Sequence, residues 1–291
     1  MTFPYLDETK DLDEAARALA GGSFIALPDG VTHYELGGNA DGRAVILVHG
    51  FSVPYFIFDP TFEFLTSAGF RVLRYDLFGR GFSDRPRVKY DIHLFVRQLK
   101  DLLDALRLSQ VSLVGLSMGG PITAAFLCAH SQMVRSHVMI DPAGARRVEL
   151  PAMVKAARVP LLGELALGLL GSGNMVKGIA ADLFDKNLVE KFQAQYKVQM
   201  QYKGFKRAIL STMRSGMLDS FYETYQAAGK LNKPTLIFWG RQDATIPYEH
   251  SALICRAIPH AQLHTVENCG HIPHYEKPAE VHPILAAHLE S

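Results

Sequence analysis

The chain has 291 residues, 48% of them hydrophobic, which is enough for a sizeable core. With 30 Lys and Arg against 29 Asp and Glu, it offers no electrostatic case for nucleic acid or an anionic membrane. Its 3 cysteines, Cys128, Cys255 and Cys269, are odd in number and scattered, so they build no disulfide framework and the expected compartment is a reducing cytoplasm.

Residues 1–21 read as an acidic helical lead-in, with Asp7 and Glu8 where a secretory signal would carry bases and a long apolar run. Ser23 to Leu27 and Val31 to Leu36 read as short strands around the turn signal Pro28-Asp29-Gly30. Ala44 to Val48 reads as a buried strand, part of Phe56 to Ser67 as a helix, and Arg71 to Tyr75 as the next strand. From Asp91 to Leu106, apolar residues at Ile92, Phe95, Val96, Leu99, Leu102, Leu103 and Leu106 have the spacing of an amphipathic helix. The apolar run Val111-Ser112-Leu113-Val114 leads into Gly115-Leu116-Ser117-Met118-Gly119, and the helix-prone run Pro121 to Leu127 follows. Val134 to Ile140 is a strand ending at Asp141-Pro142. Strands alternating with helices predict an α/β chain with a mostly parallel sheet covered on both faces.

From about Ala143 to Gly229 helical patterns predominate, broken by Gly163, Gly168, Gly171, Gly173 and Gly178. That length exceeds a simple crossover and predicts an inserted helical cap over the carboxyl edge of the sheet. The expected division is a core over 1–143, a cap over 144–229 and the rest of the core over 230–291. Leu161, Leu162, Leu165, Leu167, Leu169 and Leu170 either line an apolar pocket or pack the cap against itself and the core. The longest apolar stretch, Val159 to Leu170, is too short to span a bilayer and contains Glu164. Pro234 to Gly240 reads as a buried strand with Asp243 in the loop beyond it. Ala261 to Val266 is a further strand, with His271 on the loop that follows.

Gly-x-Ser-x-Gly between a strand and a helix is the setting of a nucleophile elbow. A serine hydroxyl is a poor nucleophile unless it is held exposed beside a base. The tight turn does the holding, and its glycines let strand and helix approach the serine. In this architecture the acid and then the histidine follow the serine in the chain, and the carboxyl ends of parallel strands share one edge. Ser117 as nucleophile, His271 as base and Asp243 as its orienting acid are therefore the expected triad. Asp141, also at a strand end, is the second candidate for the acid. His49 reads as a structural hydrogen-bonding residue and His274 as a surface or rim residue. Asp76 and Arg80, in a Gly-rich turn, suit ionic or capping roles, and Cys269 suits a buried structural thiol. Among the 12 histidines no His-x-x-x-His pair joins a third ligand at motif spacing, so neither metal nor cofactor is expected.

The chain resembles the α/β-hydrolase fold family of cap-bearing serine hydrolases, esterases and lipases among them. Val48-His49-Gly50-Phe51, Tyr75-Asp76-Leu77-Phe78-Gly79-Arg80-Gly81-Phe82-Ser83, the elbow and the Asp243/His271 pair match in order. The resemblance implies an oxyanion hole from two backbone N–H groups, those of Phe51 and Met118. Family members with a carboxylate at the elbow displace at saturated carbon, whereas serine suits attack at carbonyls. The expected reaction is hydrolysis of a carboxylic ester or related acyl compound, with a small-molecule acyl substrate. The alternatives are a carbon–carbon bond hydrolase of ring-cleavage dienoates, a cofactor-free perhydrolase, and a ligand receptor on the same fold. Dienoate hydrolases tend to show Asn before the elbow serine and Trp after the histidine, where this chain has Leu116 and Ile272. Nothing in the sequence points to an oligomeric state.

Overall fold

The computed structural model describes residues 5–147 and 159–291, save the side chains of residues 169 and 170. Residues 1–4 of the expected lead-in and 148–158 of the expected cap lie outside the described residues.

Short apolar runs bounded by turn residues become the strands. These are β1 (Ser23–Leu27), β2 (Gly30–Gly38), β3 (Ala44–Val48), β4 (Arg71–Tyr75), β5 (Val111–Leu116), β6 (Val134–Ile140), β7 (Thr235–Gly240) and β8 (Gln262–Val266). They form one 8-stranded sheet in the order β1-β2-β4-β3-β5-β6-β7-β8. β1 pairs with β2, and β2 with β4, antiparallel; every other pairing is parallel. The fold class is the α/β-hydrolase arrangement that the motifs imply.

All of β3 is buried, yet its residues divide by parity. Ala44, Ile46 and Val48 join one apolar cluster, and Val45 and Leu47 the other. A strand that is apolar on both sides must be covered on both sides. Among its described residues the lead-in contributes only the short helix α1 (Glu14–Ala18), and helices α2 (Asp59–Ser67), α3 (Ile92–Ala105) and α4 (Gly119–Ala129) follow their strands. α3 begins where Asp91 accepts a hydrogen bond from the Leu94 N–H (3.0 Å), capping an otherwise unpaired donor.

Between β6 and β7 no strand occurs among the described residues. The helices are Leu162–Ala166, Ser172–Gly178, Val189–Met200, Phe205–Arg214 and Tyr222–Gly229. The N-terminal lead-in is tied to this segment. Glu8 accepts from the Gly204 and Lys206 N–H groups (2.6 Å each), and the buried Lys206 ammonium meets Asp7 at 2.5 Å. At the other end, the Tyr225 hydroxyl donates to the Ala143 carbonyl at 2.5 Å, fixing the last of these helices beside α4. Leu161, Leu162 and Leu165 are 80, 55 and 48% exposed, which corrects the expectation for these three, whereas Leu167 packs against the second apolar cluster. No helix among the described residues is long and apolar enough to cross a membrane.

Candidate active site

Ser117 sits at the carboxyl end of β5, in the left-handed region at φ +52°. For a non-glycine residue that backbone costs about 1–2 kcal/mol, and such strain gathers at functional sites. The surroundings hold it in place. Its N–H donates to the Ile140 carbonyl (2.9 Å), and its carbonyl accepts from Gly120 (2.9 Å) and Ala143 (3.0 Å). The flanking glycines are steric requirements. A Cβ on Gly115 would stand 2.6 Å from the Thr123 hydroxyl, and one on Gly119 would collide with the Val48 carbonyl. One on Gly50 would lie 3.1 Å from the Ser117 Cβ, so the loop after β3 passes directly over the serine.

Asp243 and His271 arrive from the loops after β7 and β8. His271 Nδ1 lies 2.7 Å from Asp243 Oδ2. The other Asp243 oxygen accepts the N–H groups of Thr245 (2.7 Å) and Ile246 (2.9 Å), so the carboxylate cannot swing away from the ring. This contact places the imidazole proton on Nδ1 and leaves Nε2 with the lone pair. Burial works to lower the His271 pKa, but the charges of Asp243, Asp182 and Glu276 outweigh it and raise it above the ordinary value. Ser117 and His271 line one cavity of about 300 Å³.

Phe51 borders this cavity, and Met118 precedes the first turn of α4, where backbone N–H groups have no intrahelical partner. The Phe51 carbonyl accepts Arg80 Nε at 2.8 Å. Arg80 is wholly buried and also donates to Phe78 (3.1 Å) and Thr212 (2.9 Å), joining the loop after β3 to helix Phe205–Arg214. Burial lowers its pKa to about 10, which leaves it charged at neutral pH. Asp76 accepts the N–H groups of Tyr55 and Phe82 (2.9 Å each) and pairs with His33 at 2.7 Å. His49 accepts the Leu77 N–H on Nε2 and donates from Nδ1 to Gly50 (2.9 Å each); burial lowers its pKa to about 4, so it is a neutral strut. Cys269 is buried and its thiol pKa is raised, chiefly by that burial. His274 is fully buried, not at the rim, and bonds the Ile57 carbonyl at 3.2 Å; its apolar neighbours Ile272 and Tyr275 take it inward.

Asp141, the second candidate acid, comes to the same place. Ligand atoms of Asp141, Asp243 and His271 lie within 4.8 Å of one another. The His271–Asp243 distance of 2.7 Å is that of a hydrogen bond. Two ligands of one tetrahedral zinc, each about 2.1 Å from it, stand farther apart than that.

A group with no sequence signal completes the site. Asp182 projects into the cavity from the helical segment. Its carbonyl accepts the His271 N–H (2.8 Å) and its carboxylate accepts the Thr245 hydroxyl (2.6 Å). Burial pushes this carboxyl above its ordinary pKa, against the opposing pull of His271 and Thr245. The remaining cavity wall is largely apolar, with Val53, Ile57, Leu116, Met175, Ile179 and Ile272. None of the exposed leucines contributes to it.

The family model described as the alpha/beta hydrolase family matches residues 45–284. A 2-hydroxymuconate semialdehyde hydrolase from Pseudomonas putida is 31% identical over 248 residues, covering 81% of this chain and 84% of that protein. A solved meta-cleavage product hydrolase from Pseudomonas fluorescens aligns at TM-score 0.77 and 26% identity, over 92% of this chain and 97% of that one. An esterase from Exiguobacterium antarcticum aligns at TM-score 0.78 and 21% identity, over 93% of this chain and 100% of that one, a likeness of fold.

Proposed function

We propose, from the premise that the chain belongs to the alpha/beta hydrolase family, that it is a serine hydrolase cleaving a carboxylic ester or related acyl compound. The observation that carries this reading is the His271–Asp243 contact at 2.7 Å, with His271 lining the same cavity as Ser117. Ser117 Oγ attacks the substrate carbonyl carbon while His271 Nε2 takes its proton. Asp243 steadies the imidazolium. The carbonyl oxygen gathers negative charge under the Phe51 and Met118 N–H groups, each such donor supplying about 3 kcal/mol. His271 returns the proton to the departing alcohol. Water, deprotonated by His271, then opens the acyl-enzyme, and Ser117 recovers its proton.

The described residues between β6 and β7 act in this reading as a cap that closes the carboxyl edge of the sheet. The apolar lining suits an uncharged acyl group. The Asp182 carboxyl lines this cavity and offers no counter-charge to a substrate carboxylate.

Carbon–carbon bond hydrolysis of a ring-cleavage dienoate is the second reading, favoured by the names of the Pseudomonas relatives. A series of p-nitrophenyl esters of increasing chain length, run beside a ring-cleavage dienoate, separates the two. Ester turnover at least ~100-fold above that of the dienoate in kcat/KM supports the first reading. The reverse order overturns it.

A further inference from the structure

We propose that Asp141 is a positioning residue: a buried carboxylic acid that donates its proton in a hydrogen bond to Asp243, so that the two carboxyls beside His271 carry one negative charge. The inference rests on reading Ser117, His271 and Asp243 as the catalytic triad.

Asp141 directly follows β6, fully buried and at φ +43°, with its N–H donating to the Phe238 carbonyl at 2.9 Å. It stands at the sheet edge between Ser117 and β7. One oxygen, Oδ1, accepts the Gly240 N–H at 2.9 Å. The other, Oδ2, is buried and meets no donor among the described residues. An ionised carboxylate with one N–H for company is a costly thing to bury. The groups facing it make ionisation worse. Asp243 comes from the loop after β7, Glu276 from the helix Pro273–Glu276, and the Cys269 thiol from the loop after β8. Asp182 adds a further carboxyl beside His271. Burial first and the Asp243 charge second push the Asp141 carboxyl well above its ordinary range, while the Gly240 N–H only partly opposes them.

One proton resolves both difficulties. Carried on Oδ2, it turns the orphan acceptor into a donor, and Asp243 has lone pairs left to take it. Two carboxyls at this range share a proton as a pair. The chemistry gains in two ways. An extra donor makes Asp243 a weaker base, so the proton stays on His271 during catalysis. Halving the charge of the pair also keeps the imidazole from being held protonated, a state in which it cannot relieve Ser117 of its proton.

Asparagine reproduces both contacts of a protonated Asp141, its carbonyl for Gly240 and its amide N–H for Asp243, whereas alanine reproduces neither. With p-nitrophenyl acetate and the full chain, Asp141→Ala should lower kcat/KM roughly tenfold or more, and Asp141→Asn should recover most of the loss. The acid limb of the Asn variant should coincide with that of the wild type, because no charge has been removed. Unfolding gives a second readout that needs no activity. The folded wild type keeps a proton that the unfolded chain loses above its ordinary carboxyl range, so wild-type stability falls as pH rises. The folding constant of Asp141→Asn relative to wild type should therefore rise about tenfold per pH unit between pH 5 and 7. A pH-independent difference, or an acid limb moved to lower pH in Asp141→Asn, would mean an ionised Asp141 and would overturn the proposal. Loss of activity in Asp141→Asn as deep as in Ser117→Ala would instead make Asp141 the triad acid. A wild type inert toward every ester defeats the ester-hydrolase reading, while the stability comparison still decides the state of Asp141.

Discussion

Ser117, the proposed nucleophile, is held at φ +52° by three backbone hydrogen bonds, and His271, the proposed base, lines the same cavity. A fluorophosphonate probe should label the protein at Ser117. Ser117→Ala should remove the labelling and lower turnover roughly 10⁴-fold or more. Labelling that survives the substitution would show the nucleophile to be elsewhere. Asp243→Asn should leave the fold intact, because Thr245 and Ile246 still find an acceptor in the amide oxygen. Turnover should nonetheless fall, by about 10⁴-fold if the His271 tautomer inverts. The pH profile follows from the same residues. His271 must be neutral to take the serine proton, and its pKa is raised above the usual 6.5. Activity on a non-ionising ester should therefore be full above that raised value and fall, with a one-proton slope, as pH drops through it. An acid limb in kcat/KM lying below pH 6 would contradict the net effect assigned to Asp243, Asp182 and Glu276.

At the scale of elements, the strand–turn–helix of β5 and α4 is where sequence and structure agree most closely. The glycines of the elbow are legible because each has a steric reason. Gly119→Ala would press a methyl group against the Val48 backbone of β3 and that of His49 just after it, which cannot retreat without disturbing the sheet. The expected cost is about 2–4 kcal/mol, read as a drop in the urea midpoint. Gly173→Ala, in helix Ser172–Gly178 with nothing within 4 Å, should instead stabilise by up to about 1 kcal/mol. Equal effects of the two would refute the packing argument. The central strands were readable for a related reason. Thr235–Gly240 and Ala44–Val48 are largely apolar runs bounded by turn residues, and burial on both faces leaves no polar alternation to confuse them. Legibility fails where packing decides. The leucines from Leu161 onward look like core, and Leu161 is 80% exposed. His274 looks like rim and is buried. Asp182 carries no signal at all, since its place beside His271 depends on how a helical segment docks on a loop nearly 90 residues later in the chain. Helix Pro278–Glu290 holds Pro283 in its interior, which blurs its pattern.

For the whole molecule, buried neutral histidines set the response to acid. His137 bonds Thr123 of α4 (2.9 Å), His49 braces the loop after β3, His274 holds the Ile57 carbonyl, and His282 bonds Thr61 of α2 (3.1 Å). Burial lowers their pKa values to about 3 for His137 and His274, and about 4 for His49 and His282. The sign follows from proton counting. Above pH 6.5 both states are neutral at these sites and the stability is whole. Below it the unfolded chain binds protons that the folded chain refuses, and stability drops until the depressed values are reached. Each histidine contributes about 1.4 kcal/mol per pH unit. His33 and His271 have raised values, so below 6.5 they are charged in both states and add nothing to this slope. A protonated Asp141 works in the opposite direction by one proton. For these groups the balance is about three protons, or about 4 kcal/mol per pH unit, which offsets a stability of about 5–15 kcal/mol within roughly one to four pH units below 6.5. Urea midpoints measured from pH 7.5 to 5 should fall steeply below 6.5, and His282→Gln should flatten the curve by one proton. A midpoint that holds level over that range would mean that these four imidazoles are not held neutral by the fold.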